Sequence, residues 1–157
     1  MLTLAEIKAT TPNLFERAMT TTQWVNENIS CGLPRRLLRK VSRIQLAWIG
    51  DVILYRVAHS VMRRRDEQNL VSAKHLFVVG EKLKIFSYLN CGNGEKTQYW
   101  TRCRQNNPKK GCGPTLRLIS ESVEALIAVI YLIHGYQRAA EFVTEVVIRP
   151  HLEEMTV

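Results

Sequence analysis

Two apolar stretches of this sequence each contain a single carboxylate. Residues 46–54, LAWIGDVIL, carry Asp51, and residues 123–133, VEALIAVIYLI, carry Glu124. We expect both stretches to lie inside the protein, where an ionised carboxylate must be paired or bound to a cation, or else become protonated. Spacing alone leaves two interpretations open. The carboxylates bind a metal, or they pair with distant Arg or Lys side chains or serve as caps.

A third acid favours the metal. Glu121 lies three residues before Glu124, so a helix would present both carboxylates on one face. Neighbouring carboxylates repel one another unless a cation lies between them, and Mg2+ and Mn2+ prefer such oxygen ligands. In a basic protein this kind of site suits phosphodiester hydrolysis, with the metal activating water. The candidate catalytic and metal-binding residues are therefore Asp51, Glu121 and Glu124.

The chain is strongly basic, with 22 Lys and Arg against 14 Asp and Glu, a net charge of +8 and a pI near 9.6. Such an excess favours a polyanionic partner, although it could also serve solubility alone. We expect RNA and not a membrane, because no helix pairs a basic face with a strongly apolar one.

The four cysteines include no CxxC pair, which argues against a zinc site and against a disulfide framework. We expect free thiols in a reducing compartment, either the cytoplasm, the mitochondrial matrix or a plastid, and not a secreted protein. The N-terminus resembles neither a signal peptide nor a transit peptide. No apolar run reaches the roughly 20 residues that span a bilayer.

The elements that must position these residues are helices, because apolar residues recur at helical spacing and no alternating strand pattern competes. Glycine and proline mark the breaks, and Gly135 is expected to end or bend a helix. The sequence predicts an all-α protein with helices near residues 13–29, 42–65, 70–88, 95–103, 116–134 and 136–148.

The two carboxylate-bearing segments together resemble the signatures of the ribonuclease III catalytic domain. LAWIGDVIL is similar to the family helix whose Leu-Gly-Asp core delivers a metal-binding aspartate, and ESVEALIAVIYLIHGYQRA, residues 121–139, is similar to its second signature. LVSAKHL, residues 70–76, resembles the helix between them. The resemblance implies a helical, dimer-forming endonuclease domain, in which Asp51 and Glu124 match the most essential metal ligands and Glu121 replaces an aspartate.

Within the family the chain is most similar to mini-ribonuclease III, which has no appended double-stranded RNA-binding domain. TRCRQNNPKK, residues 101–110, resembles the RNA-contacting loop of that branch. The resemblance implies RNA-binding roles for Arg102, Arg104, Asn106, Lys109, Lys110 and Lys74. It also implies a ribonuclease III-like domain at residues 34–150, with a helical extension at residues 1–33 and a tail at residues 151–157.

The family pairs its subunits through the first signature helix. Trp48 and Ile49 are therefore implied as dimer-interface residues, with the partner being a second copy or a related chain. From the residues alone, Trp48 could equally be an ordinary core residue. A dimer would present two sites to one RNA duplex, recognised by its shape and backbone.

The sequence departs from full-length ribonuclease III at two positions. Those enzymes carry glutamates where this chain has Ile44 and Ala47, and the mini branch also lacks acids there. The function implied is a Mg2+-dependent (or Mn2+-dependent) endoribonuclease that cleaves double-stranded regions of structured precursors, chiefly ribosomal RNA. The alternative is an inactive ribonuclease III-fold component of an organellar ribonucleoprotein, such as the mitochondrial large ribosomal subunit, its assembly intermediate or an RNA-editing complex.

Overall fold

The computed structural model describes residues 3–28, 42–61, 68–97 and 113–155. Helices account for most of these residues, and no strand occurs within the four ranges. The one extended pairing there is an isolated parallel bridge between Thr20 and Asn90. The all-α prediction is confirmed.

Three short helices form the N-terminal part: α1 (Leu4–Thr10), α2 (Pro12–Ala18) and α3 (Thr22–Asn28). The predicted single helix at residues 13–29 is wrong, because the chain turns at residues 19–21. Helix α1 was not predicted, although a capping box marks its start. The Thr3 hydroxyl accepts from the Glu6 backbone N–H, and the Glu6 carboxylate accepts from the Thr3 backbone N–H.

Residues 19–21 connect the N-terminal part to two later segments. The backbone N–H of Asn90 donates to Met19 at 2.8 Å, and that of Thr21 donates to Asn90 at 3.0 Å. The backbone N–H of Arg43 donates to Thr20 at 3.1 Å, just before the next helix starts. This three-residue turn therefore holds together three separate parts of the chain.

Helix α4 (Ile44–Val61) carries the first predicted carboxylate segment, and the prediction that this whole segment lies inside is wrong. One face is buried, while Trp48 and Val52 are 70% and 52% exposed on the other. A helix that packs on one side buries only the residues at three- and four-residue spacing, whatever the polarity of the rest. The buried residues of this helix are Leu46, Ala47, Gly50, Ile53, Leu54, Val57 and Ala58.

Helix α5 (Ala73–Lys82) begins at Ser72, whose hydroxyl accepts from the His75 backbone N–H. The predicted helix at residues 70–88 is too long, because Lys84 adopts a left-handed conformation with φ of 54°. A short 3-10 helix, Ile85–Tyr88, follows.

Helix α6 (Gly113–Phe142) is the central helix and packs against both α4 and α5. Gly135 bends it, with φ of 80° and ψ of 176°, a conformation that favours glycine. The predicted end of the last helix near residue 148 is wrong, because a π-helical segment (Val143–Ile148) leads into α7 (Arg149–Met155), which contains Pro150. The wider π turn lets the chain stay helical around a residue that lacks an N–H.

The core lies along α6, where Val123 and the run from residue 125 to residue 130 are buried. N-terminal side chains, including Ile7, Phe15 and Met19, belong to the same apolar cluster. Of the helices in the described ranges, none combines the length and the apolar composition that crossing a bilayer requires.

Candidate active site

Helices α4 and α6 and the start of α3 enclose a cavity of about 580 Å3. All three predicted site carboxylates face it, together with two arginines and one acid that was not predicted. The lining residues are Thr22, Arg43, Ile44, Ala47, Trp48, Asp51, Glu95, Arg117, Leu118, Glu121 and Glu124.

Gly50 brings the two carboxylate-bearing helices together. A Cβ at this position would lie 1.7 Å from the backbone oxygen of Glu124 and 2.5 Å from its carbonyl carbon. No side chain fits against backbone at that distance, so glycine permits the close contact of α4 and α6. The contact sets Asp51, the next residue, beside the helix that carries Glu124.

Glu124 is the carboxyl group most affected by its surroundings. Burial, then the carboxylates of Asp51 and Glu121, raise the pKa of Glu124 to about 8, and Arg43 and Arg117 oppose that rise. Without a cation, Glu124 therefore holds its proton over most of the neutral range. Any cation bound at this carboxylate must displace that proton.

Asp51 is exposed at the rim of the cavity, so the expectation that it is buried is wrong. The described residues place no Arg or Lys in salt-bridge contact with either Asp51 or Glu124. Within those residues, pairing with a distant basic side chain does not account for these two acids.

Pairing does account for Glu121. Its Oε2 accepts from Arg43 Nε at 3.3 Å and Nη2 at 3.1 Å, and its Oε1 accepts from Arg117 Nε at 2.6 Å. Both carboxylate oxygens are thus hydrogen-bonded to guanidinium groups, and such charge-assisted bonds are the stronger kind. Glu121 and Glu124 lie one helical turn apart in opposite electrostatic settings.

Arg43 is the last residue of the basic segment PRRLLRKVSR, residues 34–43, and it is only 5% exposed in this cavity wall. Its backbone N–H donates to Thr20, and its carbonyl accepts from the Ala47 N–H at 2.8 Å in the first turn of α4. No sequence signal separated Arg43 from the other basic residues of that segment, because only the fold sets Glu121 opposite it.

Glu95 is another lining residue that the sequence analysis did not identify. Its Oε2 accepts from the Thr21 hydroxyl at 2.6 Å and from the Gly92 backbone N–H at 2.9 Å. It belongs to a helical turn at residues 93–97, at the start of the helix predicted near residues 95–103. Because its neighbours are polar and irregular, no pattern marked it as a site residue.

Cys91, the one cysteine among the described residues, does not offer a second chemistry near this wall. Cys91 is buried and carries no disulfide. Burial, then the Glu95 carboxylate, raise the pKa of the Cys91 thiol to about 12, so this group stays protonated and is a poor nucleophile.

Asp51 and Glu124 fit a hard divalent cation better than the full predicted set does. Oxygen ligands from two carboxylates, completed by waters, are what Mg2+ commonly takes. In the described ranges no group of three or more His, Cys, Asp or Glu side chains is arranged to hold a metal. Hydrogen bonds from Arg43 and Arg117 to Glu121 agree with that finding.

The other predicted residues have mixed outcomes. The five RNA-binding residues predicted between 102 and 110 lie outside the described residues. Lys74 is exposed at the start of α5. Trp48 is exposed in this single chain, which excludes the ordinary core alternative, whereas Ile49 is partly buried against the core.

Comparisons with known proteins give one informative match. The chain is 30% identical over 146 residues to "Ribonuclease 3" of Solibacter usitatus (strain Ellin6076), covering 84% of this chain. The aligned region is 48% of that relative, so the chain spans about half the relative's length. No family model matches the chain, and no solved structure matches it. Together with the all-helical fold, the similarity to this relative supports assigning the chain to the ribonuclease III family.

Proposed function

We propose that the protein is a metal-dependent endoribonuclease that hydrolyses phosphodiester bonds in double-stranded RNA, in the manner of the mini-ribonuclease III branch. One observation carries the proposal. Asp51 and Glu124, on facing helices, line one cavity and have no salt bridge to the described residues. Two carboxylates without basic partners can bind a divalent cation, and a chain of net charge +8 attracts a polyanion such as RNA. The two properties together suit a cation-assisted reaction on RNA.

Asp51 and Glu124 would hold Mg2+ or Mn2+ in this cavity. Bound there, the cation would supply an activated water and would stabilise the oxygen that leaves phosphorus. The site's own residues then have simpler tasks. Glu124 would give up its proton when the cation binds, because a positive charge at the carboxylate would offset the burial and the neighbouring carboxylates that raise its pKa.

Arg117 is suited to contact RNA at the cavity. Its side chain is 81% exposed while its Nε remains bound to Glu121. A guanidinium fixed at one nitrogen can still offer its other donors to a phosphate oxygen. Lys74, and the basic residues predicted between 102 and 110, would extend the phosphate contacts along the duplex.

We propose that the active form is a dimer, either of two copies or with a related chain. Trp48, Val52 and Tyr55, each at least half exposed, form an apolar stripe on α4 beside the cavity. Covering this stripe would place two cavities near one A-form duplex. The substrate class we favour is a structured precursor of ribosomal RNA.

The experiment is duplex-RNA cleavage in Mg2+, with Ca2+ as a non-catalytic control. Glu124→Gln should abolish cleavage while the circular dichroism spectrum and RNA affinity stay near those of the parent. Glu141→Gln, the same change at an exposed position of α6 outside the cavity, is the matched control and should cleave normally. Cleavage by Glu124→Gln at the parent's rate would refute the proposal.

Two residues that line the cavity favour a second function, that of a catalytically inactive RNA-binding protein. Apolar Ile44 and Ala47 stand in the cavity where full-length relatives are expected to carry acids. An inactive protein that binds RNA within an organellar ribonucleoprotein would tolerate such a wall. Tight binding of duplex RNA by the parent, with no cleavage in Mg2+ or Mn2+, would favour this alternative.

A further inference from the structure

We propose that Arg43 is a positioning residue that keeps Glu121 out of the metal ligand set, so that the cavity takes one divalent cation, on Asp51 and Glu124. The inference rests on the proposed function for its metal and deepens it by assigning a stoichiometry. The inference depends on the numbers and positions of the carboxylates and guanidinium groups that line the cavity.

The hydrogen bonds of Glu121 are the first support. Arg43 and Arg117 occupy opposite oxygens of this carboxylate, at distances of 2.6–3.3 Å. A metal that took Glu121 as a direct ligand would have to displace at least one guanidinium. The Arg43 guanidinium is the harder to displace, because its side chain is only 6% exposed.

The fixed position of Arg43 is the second support. The backbone bonds to Thr20 and Ala47 hold its Cα where α4 begins. Its Nη1 is buried and has no hydrogen-bond partner in the described part of the chain. A buried cation that is incompletely hydrogen-bonded is expensive, so the Glu121 carboxylate is its main compensation and is held accordingly.

The charge of the wall is the third support. Four carboxylates line the cavity, on Asp51, Glu95, Glu121 and Glu124, against the two guanidiniums of Arg43 and Arg117. When all are ionised the described lining carries a net charge of −2, which one divalent cation neutralises. A second would leave the wall positive unless RNA phosphates compensated it.

The apolar positions are the fourth support. Ile44 and Ala47 line the same cavity one turn apart on α4, and neither can ligate a metal. With Glu121 bound to arginines, the described carboxylate left besides those of Asp51 and Glu124 is that of Glu95, whose Oε2 already accepts from the Thr21 hydroxyl and the Gly92 N–H. The fixed positive charge of Arg43 thus compensates the Glu121 carboxylate, which a second metal ion would otherwise have to do.

The test is Mn2+ binding to the full chain without RNA. Binding is measured by calorimetry and by the loss of the electron paramagnetic resonance signal of free Mn2+. We expect one Mn2+ per chain. Glu124→Gln and Asp51→Asn should each weaken it by more than about 100-fold, because each removes a ligand and even an outer-shell change typically costs about 10–100-fold. Glu121→Gln should weaken it by about tenfold at most, and by less than either ligand variant, because the change removes a nearby negative charge but no ligand.

Arg43→Met gives the result that a purely structural role would not produce. Removing the guanidinium should strengthen Mn2+ binding about tenfold or create a second site, since Glu121 becomes available and a repelling charge is lost. Arg117→Gln, at an exposed position, should shift affinity in the same direction by less and serves if Arg43→Met does not fold.

Each outcome separates this inference from the proposed function. Two Mn2+ per chain in the parent, or loss of binding in Glu121→Gln, would overturn the inference and leave the metal-dependent function intact. No Mn2+ binding by the parent, with or without duplex RNA, would overturn both. Weaker binding in both Arg43→Met and Arg117→Gln would also overturn the inference.

Discussion

Glu121 and Glu124 share a helix and are one turn apart, yet they have opposite surroundings. Glu121 is bound by two arginines, whereas Glu124 faces other carboxylates and keeps its proton to about pH 8. The contrast teaches that two acids of one motif can have different roles. Glu121 is held by two arginines of the cavity wall, whereas Glu124 has no salt bridge to the described residues.

Separating the two helices should remove the contrast altogether. Gly50→Ala puts a methyl group into the backbone of Glu124, and we expect a loss of about 3 kcal/mol or more in the free energy of unfolding. Urea unfolding followed by circular dichroism measures it.

Gly94→Ala is the control for that change. The nearest atom to its new methyl would be the flexible end of Gln23, so the loss should stay within about 0.5 kcal/mol. Equal losses at both glycines would contradict the importance of the contact between α4 and α6.

Glu121→Gln should destabilise the protein. It removes the charge that compensates buried Arg43, and we expect a loss of about 2 kcal/mol, less than for a fully buried pair because Glu121 is 23% exposed. Thermal and urea unfolding at neutral pH measure it. The double variant Arg43→Met/Glu121→Gln should recover part of the loss, and an additive double variant would contradict the pairing.

Glu124→Gln should have the opposite sign in metal-free buffer. The folded pKa of Glu124 is raised from 4.5 to about 8, so the folded state binds the extra proton between those values. The parent's stability is therefore full below pH 4.5 and falls as pH rises towards 8. Above pH 8 the variant should be more stable by about 1–2 kcal/mol, after discounting for partial exposure.

That comparison is made by thermal unfolding across this pH window with a chelator present. Added Mg2+ should narrow the difference, because cation binding stabilises only the parent's carboxylate. A variant that tracks the parent at every pH would show that Glu124 has an ordinary pKa.

Arg117→Ala should have the smallest effect on folding. The ion pair of Arg117 with Glu121 is largely exposed on the arginine side, so we expect a loss of at most about 0.5 kcal/mol. If Arg117 contacts a phosphate, RNA affinity should fall and its salt dependence should weaken by about one unit of slope. An unchanged salt dependence would remove Arg117 from the RNA interface.

The sequence predicted the helical class and the three carboxylates because both are local patterns. Apolar spacing marks a helix wherever it packs, and an acid within an apolar run stands out on its own. The sequence did not predict which side of α4 faces outward, because Trp48 and Val52 are as apolar as the buried residues.

The missed parts of the site depend on contacts distant in sequence. Arg43 and Glu121 are separated by 78 residues, and Thr21 and Glu95 by 74. The local sequence around one residue of each pair therefore does not predict its partner. The sequence did not predict that the helix continues through Pro150, for a different reason. Proline normally ends an α-helix, but here a π-helical segment comes directly before it.

The turn at residues 19–21 has a consequence for how the protein is made. It binds the segments that carry Arg43 and Glu95, but the cavity closes only when Glu121 and Glu124 arrive on α6. The part of the chain before α6 would leave the ribosome first, when the cavity still lacks Glu121 and Glu124 and Arg43 has no carboxylate partner. Such long-range closure is slow and comes late. The nascent chain should therefore complete this cavity only after α6 has left the ribosome.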